Sequence, residues 1–301
     1  MKGSTAIRMQ AAATFAALAC MAGAAMAEPT PPAAAPAAAA SPKSVTSPRL
    51  YAADCGSIRV GDMAGFSDLG ELKGEARNFI VPCFIVVHPK GVLVWDAGLN
   101  DALVAEKNGV DHDVFHLEVK KTLASQLQAL GITPTDVTHV AFSHMHFDHT
   151  GNAAMFTSAT WLMNRTELAW ALGDPAPFGV SAENLAPAAK KTVKADLFVG
   201  DRDVFGDGSV QILAAPGHTP GSAVLMLKLK KAGTVVLSGD LYHTPENHHH
   251  HRVPAFNTSR AETLASFDRV DSIVKRSKAR LVIQHSPAHF AKLPAFPAYL
   301  D

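Results

Sequence analysis

The sequence predicts an α/β fold, built as one layered domain over residues 49–301. Three observations point there. Strand-like and helix-like runs interleave along this stretch, and side chains able to bind metal fall immediately after strand-like runs. The chain is also 48% hydrophobic over 301 residues, ample for a packed core.

In chain order, the first segment reads as an export signal. Lys2 and Arg8 are followed by an apolar run from Ala11 to Met21 and by the small-x-small pattern Ala25-Met26-Ala27. Residues 1–27 are therefore expected to be a cleaved signal peptide, directing the protein to the periplasm or outside the cell. The apolar run is too short and alanine-rich for a stable membrane span. Residues 28–48 (PTPPAAAPAAAASP at their centre) have no apolar periodicity and read as an extended tether.

LYAADCGSIRV and VPCFIVV follow as strands, and His88-Pro89-Lys90-Gly91 turns the chain into a third, VLVWD. Leu117, Leu123, Leu127 and Leu130 recur at helical spacing, so a helix is expected over residues 116–130 with Gly131 as its stop. VTHVAFS is a short buried strand. VQILAA, SAVLMLKL and TVVLSGD are three more, and a helix over residues 260–275 precedes a last strand, LVIQH.

The 27 basic and 27 acidic side chains balance, so nothing points to a nucleic-acid partner. Cys55 and Cys83 lie beyond the export signal. An oxidising compartment would permit a bridge, but pairing cannot be read from sequence, and two small buried thiols are the preferred reading. Oligomeric state is left open, a homodimer included.

The fifteen histidines are clustered. His144-Met145-His146-Phe147-Asp148-His149 runs straight out of a strand. Histidines two apart in extended chain project to one side, so His144 and His146 can grip one ion while Asp148 and His149 turn toward a second. A lone histidine is ordinarily a surface or core residue, but four donors within six residues are not ordinary. His218 sits in the turn Pro216-Gly217-His218-Thr219-Pro220-Gly221, rigid enough to hold a single ligand. Asp240 and His285 each end a strand. Imidazole and carboxylate at this density suit two divalent ions, zinc above all.

HMHFDH, then PGHTPG, SGD and a closing strand-end histidine, resembles the metallo-β-lactamase superfamily in motif, order and spacing, from about Leu50 to the C-terminus. The resemblance implies a four-layer αβ/βα sandwich. It implies that His144, His146 and His218 hold a first ion, that Asp148, His149 and His285 hold a second, and that Asp240 bridges them. Within the superfamily, SHMHFDHTGN, VGDRDVFGDGSVQILAAPGHTPG, VPCFIVVHPKGVLVWDAG and the closing FPAYLD are most similar to N-acyl-homoserine lactonases. That likeness implies a metal-dependent hydrolase opening a lactone ring with a metal-activated water, Asp148 serving also as proton carrier. Other esters, thioesters or β-lactams are alternative substrates for such a site, and a non-catalytic exported zinc-binding protein is the alternative of a different class.

Two departures stand out. His243 occupies the place where those lactonases carry a tyrosine, three residues after the bridging aspartate, with Tyr242 one position earlier. Either could assist at the substrate carbonyl. Ser222 stands where a further histidine is common. Met63 and Phe66, in GDMAGFSD, and Phe147 are candidates for an apolar wall receiving an acyl chain, although core packing explains Met63 and Phe66 equally well. Phe178 is expected in the core. The run His248 to His251 is expected to be a solvated loop.

Overall fold

Strands whose two faces are both apolar need a covering layer on each side, and the β-strands of this chain are of that kind. The computed structural model describes residues 45–301, so the expected export signal and most of the expected tether lie outside the described residues. The chain folds in the order β1 (Arg49–Val60), β2 (Arg77–His88), β3 (Gly91–Trp95), β4 (Val110–His112), β5 (Phe115–Glu118), α1 (Leu123–Ala129), β6 (His139–Ala141), α2 (Phe147–Thr150), β7 (Thr160–Asn164), α3 (Arg165–Ala171), α4 (Ala186–Ala189), β8 (Lys194–Phe198), β9 (Arg202–Asp203), β10 (Val210–Ala214), β11 (Ala223–Leu229), β12 (Gly233–Leu237), α5 (Pro245–His250), α6 (Arg260–Ser277), β13 (Arg280–Val282) and α7 (Pro287–Phe290).

Two sheets result, one ordered β4-β5-β1-β2-β3-β6-β7-β8 and one ordered β13-β12-β11-β10-β9. Alternation along each strand divides the core into layers. Phe84, Val86, Leu93 and Trp95 from the first sheet meet Ile212, Leu225, Leu227, Val235 and Leu237 from the second, filling the space between sheets. The opposite face of the first sheet, with Cys83, Ile85, Val87 and Val94, packs on Leu123 and Leu127 of α1. The opposite face of the second, with Val224, Met226 and Val236, packs on Phe267 and Val270 of α6. Helix, sheet, sheet, helix: this is the four-layer αβ/βα sandwich.

β3, β6, β7 and β8 run parallel, as do β12 and β13. Their C-terminal ends therefore open on one rim. Asp96, residues 142–149, Asp240 and His285 all follow such ends.

Three expectations need correction. The helix over residues 116–130 is instead β5 followed by a shorter α1, because Leu117 pairs with Ile58 in the sheet. Thr122 starts α1 by accepting the Ser125 N–H at 3.1 Å, and the Asp101 carboxylate accepts the N–H groups of Leu123 and Ala124. Cys55 and Cys83 are joined as a disulfide, not held as separate thiols. They lie on the neighbouring antiparallel strands β1 and β2, next to an irregularity between Asp54 and Ser57, with Cα atoms 5.7 Å apart. The ordered fold also reaches into the expected tether, since Val45 is only 7% exposed and joins the outer core. Among the described residues, no helix is long and apolar enough to cross a membrane.

Candidate metal centre

Each donor is delivered by a strand end. His144, Met145 and His146 follow β6 through a bend at Ser143 and His144, and His146 is the N-cap residue of α2 (φ −69°, ψ 160°). Asp148 and His149 thus lie in the first turn of that helix. His218 stands in the turn between β10 and β11, Asp240 in a 3₁₀ turn after β12, and His285 just past β13. Gly239 brings the second sheet against the first: at φ +50°, a Cβ there would lie 2.6 Å from the Ser143 Cβ.

The buried donor atoms form two groups, one of His144, His146, His218 and Asp240, the other of Asp148, His149 and His285. In the first, His144 Nε2, His146 Nδ1 and His218 Nε2 make a triangle of edges 2.9, 3.1 and 3.1 Å. Ligands at zinc–nitrogen distance in a tetrahedron stand about 3.3 Å apart, so the triangle fits one ion closely. In the second, Asp148 Oδ2 lies 3.5 Å from both His149 Nε2 and His285 Nε2.

Asp240 divides its two oxygens between the groups. Oδ2 lies 3.6 Å from His218 Nε2 and 3.8 Å from His144 Nε2, while Oδ1 lies 2.9 Å from His285 Nε2 and 3.3 Å from His149 Nε2. Yet Asp240 Oδ1 and His149 Nε2 are buried without a hydrogen bond. Buried polar atoms left unpaired and facing one another call for a cation between them. The residues fit a pair of divalent ions.

The rear nitrogens orient the rings, as metal-binding histidines require. His218 Nδ1 donates to Asn257 Oδ1 at 3.0 Å, and His285 Nδ1 to the Ile80 carbonyl at 2.8 Å. His149 Nδ1 faces Asp96 Oδ2 at 3.0 Å. That carboxylate also accepts from Ser143 N–H and Gln284 Nε2, both at 2.6 Å. Glu167 accepts from the N–H groups of Met145 and Gly221.

Charge follows from burial. Desolvation pushes His146 and His218 down to about 3 and lowers His144 well below the ordinary range, so all three are neutral, as ligands must be. Burial opposes charge on His149 too, but Asp148, Asp240 and Asp96 outweigh it and raise its pKa well above normal. Asp240 and Asp148 likewise overcome the burial of His285 and raise it. Burial would raise Asp240, but His285, His149, His243 and His144 hold it well below the usual carboxylate range. Burial also pushes Glu167 up to about 7.

Above the centre is a pocket of about 140 Å³ whose lining includes His146, Asp148, His218, Asp240, His243 and His285. Its aromatic wall packs on the imidazoles themselves. Phe66 meets the His243 ring edge-on at 5.1 Å, Phe79 stacks on His285 at 5.5 Å, and Phe256 faces His218 at 5.9 Å.

Phe66 and Phe147 line this pocket, but Met63 does not: it is buried in the cluster beneath, with Val60 and Val81. Phe178, expected in the core, is 64% exposed on the pocket's rim, 6.4 Å from the His146 ring. The two candidates for the carbonyl separate. His243 lines the pocket with Nε2 3.1 Å from Asp240 Oδ2. Tyr242 turns away, stacked on Phe267, its hydroxyl donating to Asp271 at 2.7 Å. The histidine run is exposed at His249, His250 and His251, as expected, but it is helical rather than a loop. It ends α5, and His248 and His251 approach Asp271 at 3.0 and 3.3 Å.

Sequence reasoning missed Asp96, Asn257, Gln284 and Glu167, and the pocket residues Phe79, Phe115 and Phe256. Asp96 alone carried a signal, since it follows a strand like the ligands do.

A four-layer sandwich with two histidine-rich donor groups sharing one aspartate at its rim defines a binuclear, metal-dependent hydrolase. The chain belongs to the Metallo-beta-lactamase superfamily, whose family model matches residues 76–285. It is 28% identical over 267 residues to the N-acyl homoserine lactonase AttM of Azorhizobium caulinodans, a match covering 85% of this chain and 100% of that protein. It is 26% identical over 234 residues to the N-acyl homoserine lactonase AiiA of Bacillus thuringiensis subsp. kurstaki, covering 75% and 89%. Among solved structures it is similar to an N-acyl homoserine lactone hydrolase with the product N-hexanoyl-L-homoserine at its catalytic metal centre. There the TM-score is 0.73 at 25% identity, covering 85% of this chain and 100% of that one.

Proposed function

We propose that this protein is an exported dizinc lactonase that opens the ring of N-acylated homoserine lactones. The observation that carries the reading is Asp240 dividing its oxygens between two donor groups at the floor of an aromatic pocket. A cavity near 150 Å³ takes a benzene-sized ring, so one of about 140 Å³ takes a lactone ring and leaves a tail to run out over Phe147 and Phe178. The lactonase relatives support the same substrate class. The expected export signal and the Cys55–Cys83 bridge support a periplasmic or secreted location.

His144, His146 and His218 would hold one zinc and Asp148, His149 and His285 the other, with Asp240 shared. Bound there, the ions would polarise the lactone carbonyl and supply hydroxide near neutral pH. The residues of the chain do the rest. His243 lines the pocket, and its Nε2, 3.1 Å from Asp240 Oδ2, would turn from that oxygen to donate a hydrogen bond to the carbonyl oxygen. Asp148 carries a proton from the attacking water to the ring oxygen that leaves. Phe66, Phe79 and Phe256 keep bulk water off the imidazoles and strengthen every charge interaction within.

The test is hydrolysis of a long-chain N-acyl homoserine lactone by metal-analysed protein, beside His146→Ala. Acid release by the wild type alone, with two metals per chain, is expected. Two metals without lactone turnover would remove the substrate from the proposal and leave the metal centre in place.

A further inference from the structure

Glu167 is 2% exposed, and among the described residues its carboxylate meets the backbone N–H groups of Met145 and Gly221 and the Thr219 side chain rather than a cation. A buried carboxylate without a counter-ion is costly, so its position asks for a reason. It lies in the first turn of α3, which Asn164 caps by accepting the Thr166 N–H at 2.8 Å and the Glu167 N–H at 3.3 Å. From there Oε1 accepts the Met145 N–H at 2.9 Å and Oε2 accepts the Gly221 N–H at 2.8 Å. Met145 stands between His144 and His146, and Gly221 closes the turn carrying His218. One carboxylate thus joins the two loops that bear the three-histidine group, and among the described residues none of its hydrogen bonds goes to Asp148, His149 or His285 themselves. The approach is close enough that a Cβ on Gly221 would lie 2.6 Å from the Glu167 Cβ and 2.7 Å from Asn164 Oδ1.

We propose that Glu167 is a positioning residue for the three-histidine half of the centre: its carboxylate, accepting one backbone N–H from each of the two ligand loops, sets their relative place. This rests on the reading that His144, His146 and His218 hold a metal. A glutamine has one acceptor oxygen, so it can serve one of the two N–H groups and must turn its own amide hydrogens toward the other. Outer partners of metal ligands commonly change affinity about 10–100-fold when removed.

The test isolates each half in the full chain. His285→Ala weakens the second group and leaves the three-histidine half to bind zinc, while His218→Ala does the reverse. Zinc affinity is read by competition with a chromogenic chelator, and urea unfolding of the metal-stripped proteins is read in parallel. Adding Glu167→Gln is expected to weaken zinc binding about 10–100-fold in the His285→Ala background and under twofold in the His218→Ala background. Glu167→Asp, which keeps a carboxylate with two acceptor oxygens, is expected to fall between wild type and glutamine. Equal losses in both backgrounds, or no loss in the first, would overturn the proposal. Absence of zinc binding by the wild type and by His285→Ala would instead overturn the metal reading beneath it.

Discussion

Asp96→Asn tests how far the orientation of His149 depends on one carboxylate. Asp96 is fully buried at φ 58°, a region asparagine tolerates, and the two side chains are nearly isosteric. The substitution therefore leaves neither cavity nor backbone strain. What changes is the count of acceptors. The carboxylate now takes three donors: Ser143 N–H, Gln284 Nε2 and His149 Nδ1. If the asparagine oxygen stays on Ser143, its amide nitrogen faces the other two. Gln284 can adapt, because its Oε1 is buried without a partner and a flip of the amide would let it accept. His149 cannot adapt without cost. To bind metal at Nε2 the ring must keep its proton on Nδ1, where the asparagine now offers an N–H in place of a lone pair. One hydrogen bond to a charged group is lost, about 1.5–3 kcal/mol, and the metal affinity of the Asp148, His149 and His285 group falls about 10–100-fold. Urea unfolding of the metal-stripped protein measures the first quantity and chelator competition in the His218→Ala background the second. A variant with the expected stability loss but unchanged metal affinity would refute the argument, since it would show that the ring of His149 is oriented by something else.

The remaining predictions concern the bridge, the protons, the pocket and the tyrosine. Cys55→Ser with Cys83→Ser opens a loop of sequence separation 28 and is expected to cost about 3–4 kcal/mol in urea unfolding; unchanged stability would contradict it. The pKa of His149 is raised well above normal and that of His285 is raised, so metal must displace protons from this group on binding and none from His146 or His218, which are neutral. Affinity of the second group should accordingly rise with pH, more steeply than that of the first, and calorimetry in buffers of different ionisation enthalpy counts the protons. Phe178→Ala is expected to raise KM for long-chain lactones about 5–30-fold, from about 1–2 kcal/mol of lost apolar contact, with kcat and stability little changed because the ring is on the rim. Tyr242→Phe should lose about 1 kcal/mol of stability and no activity, whereas His243→Ala should lower kcat about 10–100-fold, as judged by steady-state lactone hydrolysis.

The layered fold and the donor set were legible because their signals are local. HMHFDH places four donors within one loop and helix turn, and strand ends are readable from short apolar runs. The anchoring shell was not legible, because its members are ordinary polar residues far away in the chain. Asp96 meets His149 across 53 positions, and Asn257 meets His218 across 39. The leucines from Leu117 onward mislead for a different reason: their spacing satisfies a helix, but pairing with Ile58 takes Leu117 into the sheet. Tyr242 and His243 could not be told apart by spacing to Asp240. Tyr242 is extended (φ −130°, ψ 121°), which sends neighbouring side chains to opposite sides, and only the structure says which one meets the pocket.

The centre sits on the seam between the two sheets, and this makes its chemistry depend on the packing of the fold. The first sheet supplies His144, His146, Asp148 and His149, and the second supplies His218, Asp240 and His285. Neither sheet holds a complete donor group, since His218 and Asp240 complete the first and His285 the second. The seam is fastened by contacts at the same place. The Ala223 N–H reaches the Ser143 carbonyl at 2.8 Å, the Ile80 N–H reaches the His285 carbonyl at 3.2 Å, and the backbone at Gly239 leaves no room for a Cβ against Ser143. A shift of one sheet against the other would move Asp240 relative to His144 and His149 together, so close packing here resists loss of either ion. Core substitutions between the sheets, at Leu225 or Phe84 for example, should therefore weaken metal binding as well as stability, although neither side chain is among the donors.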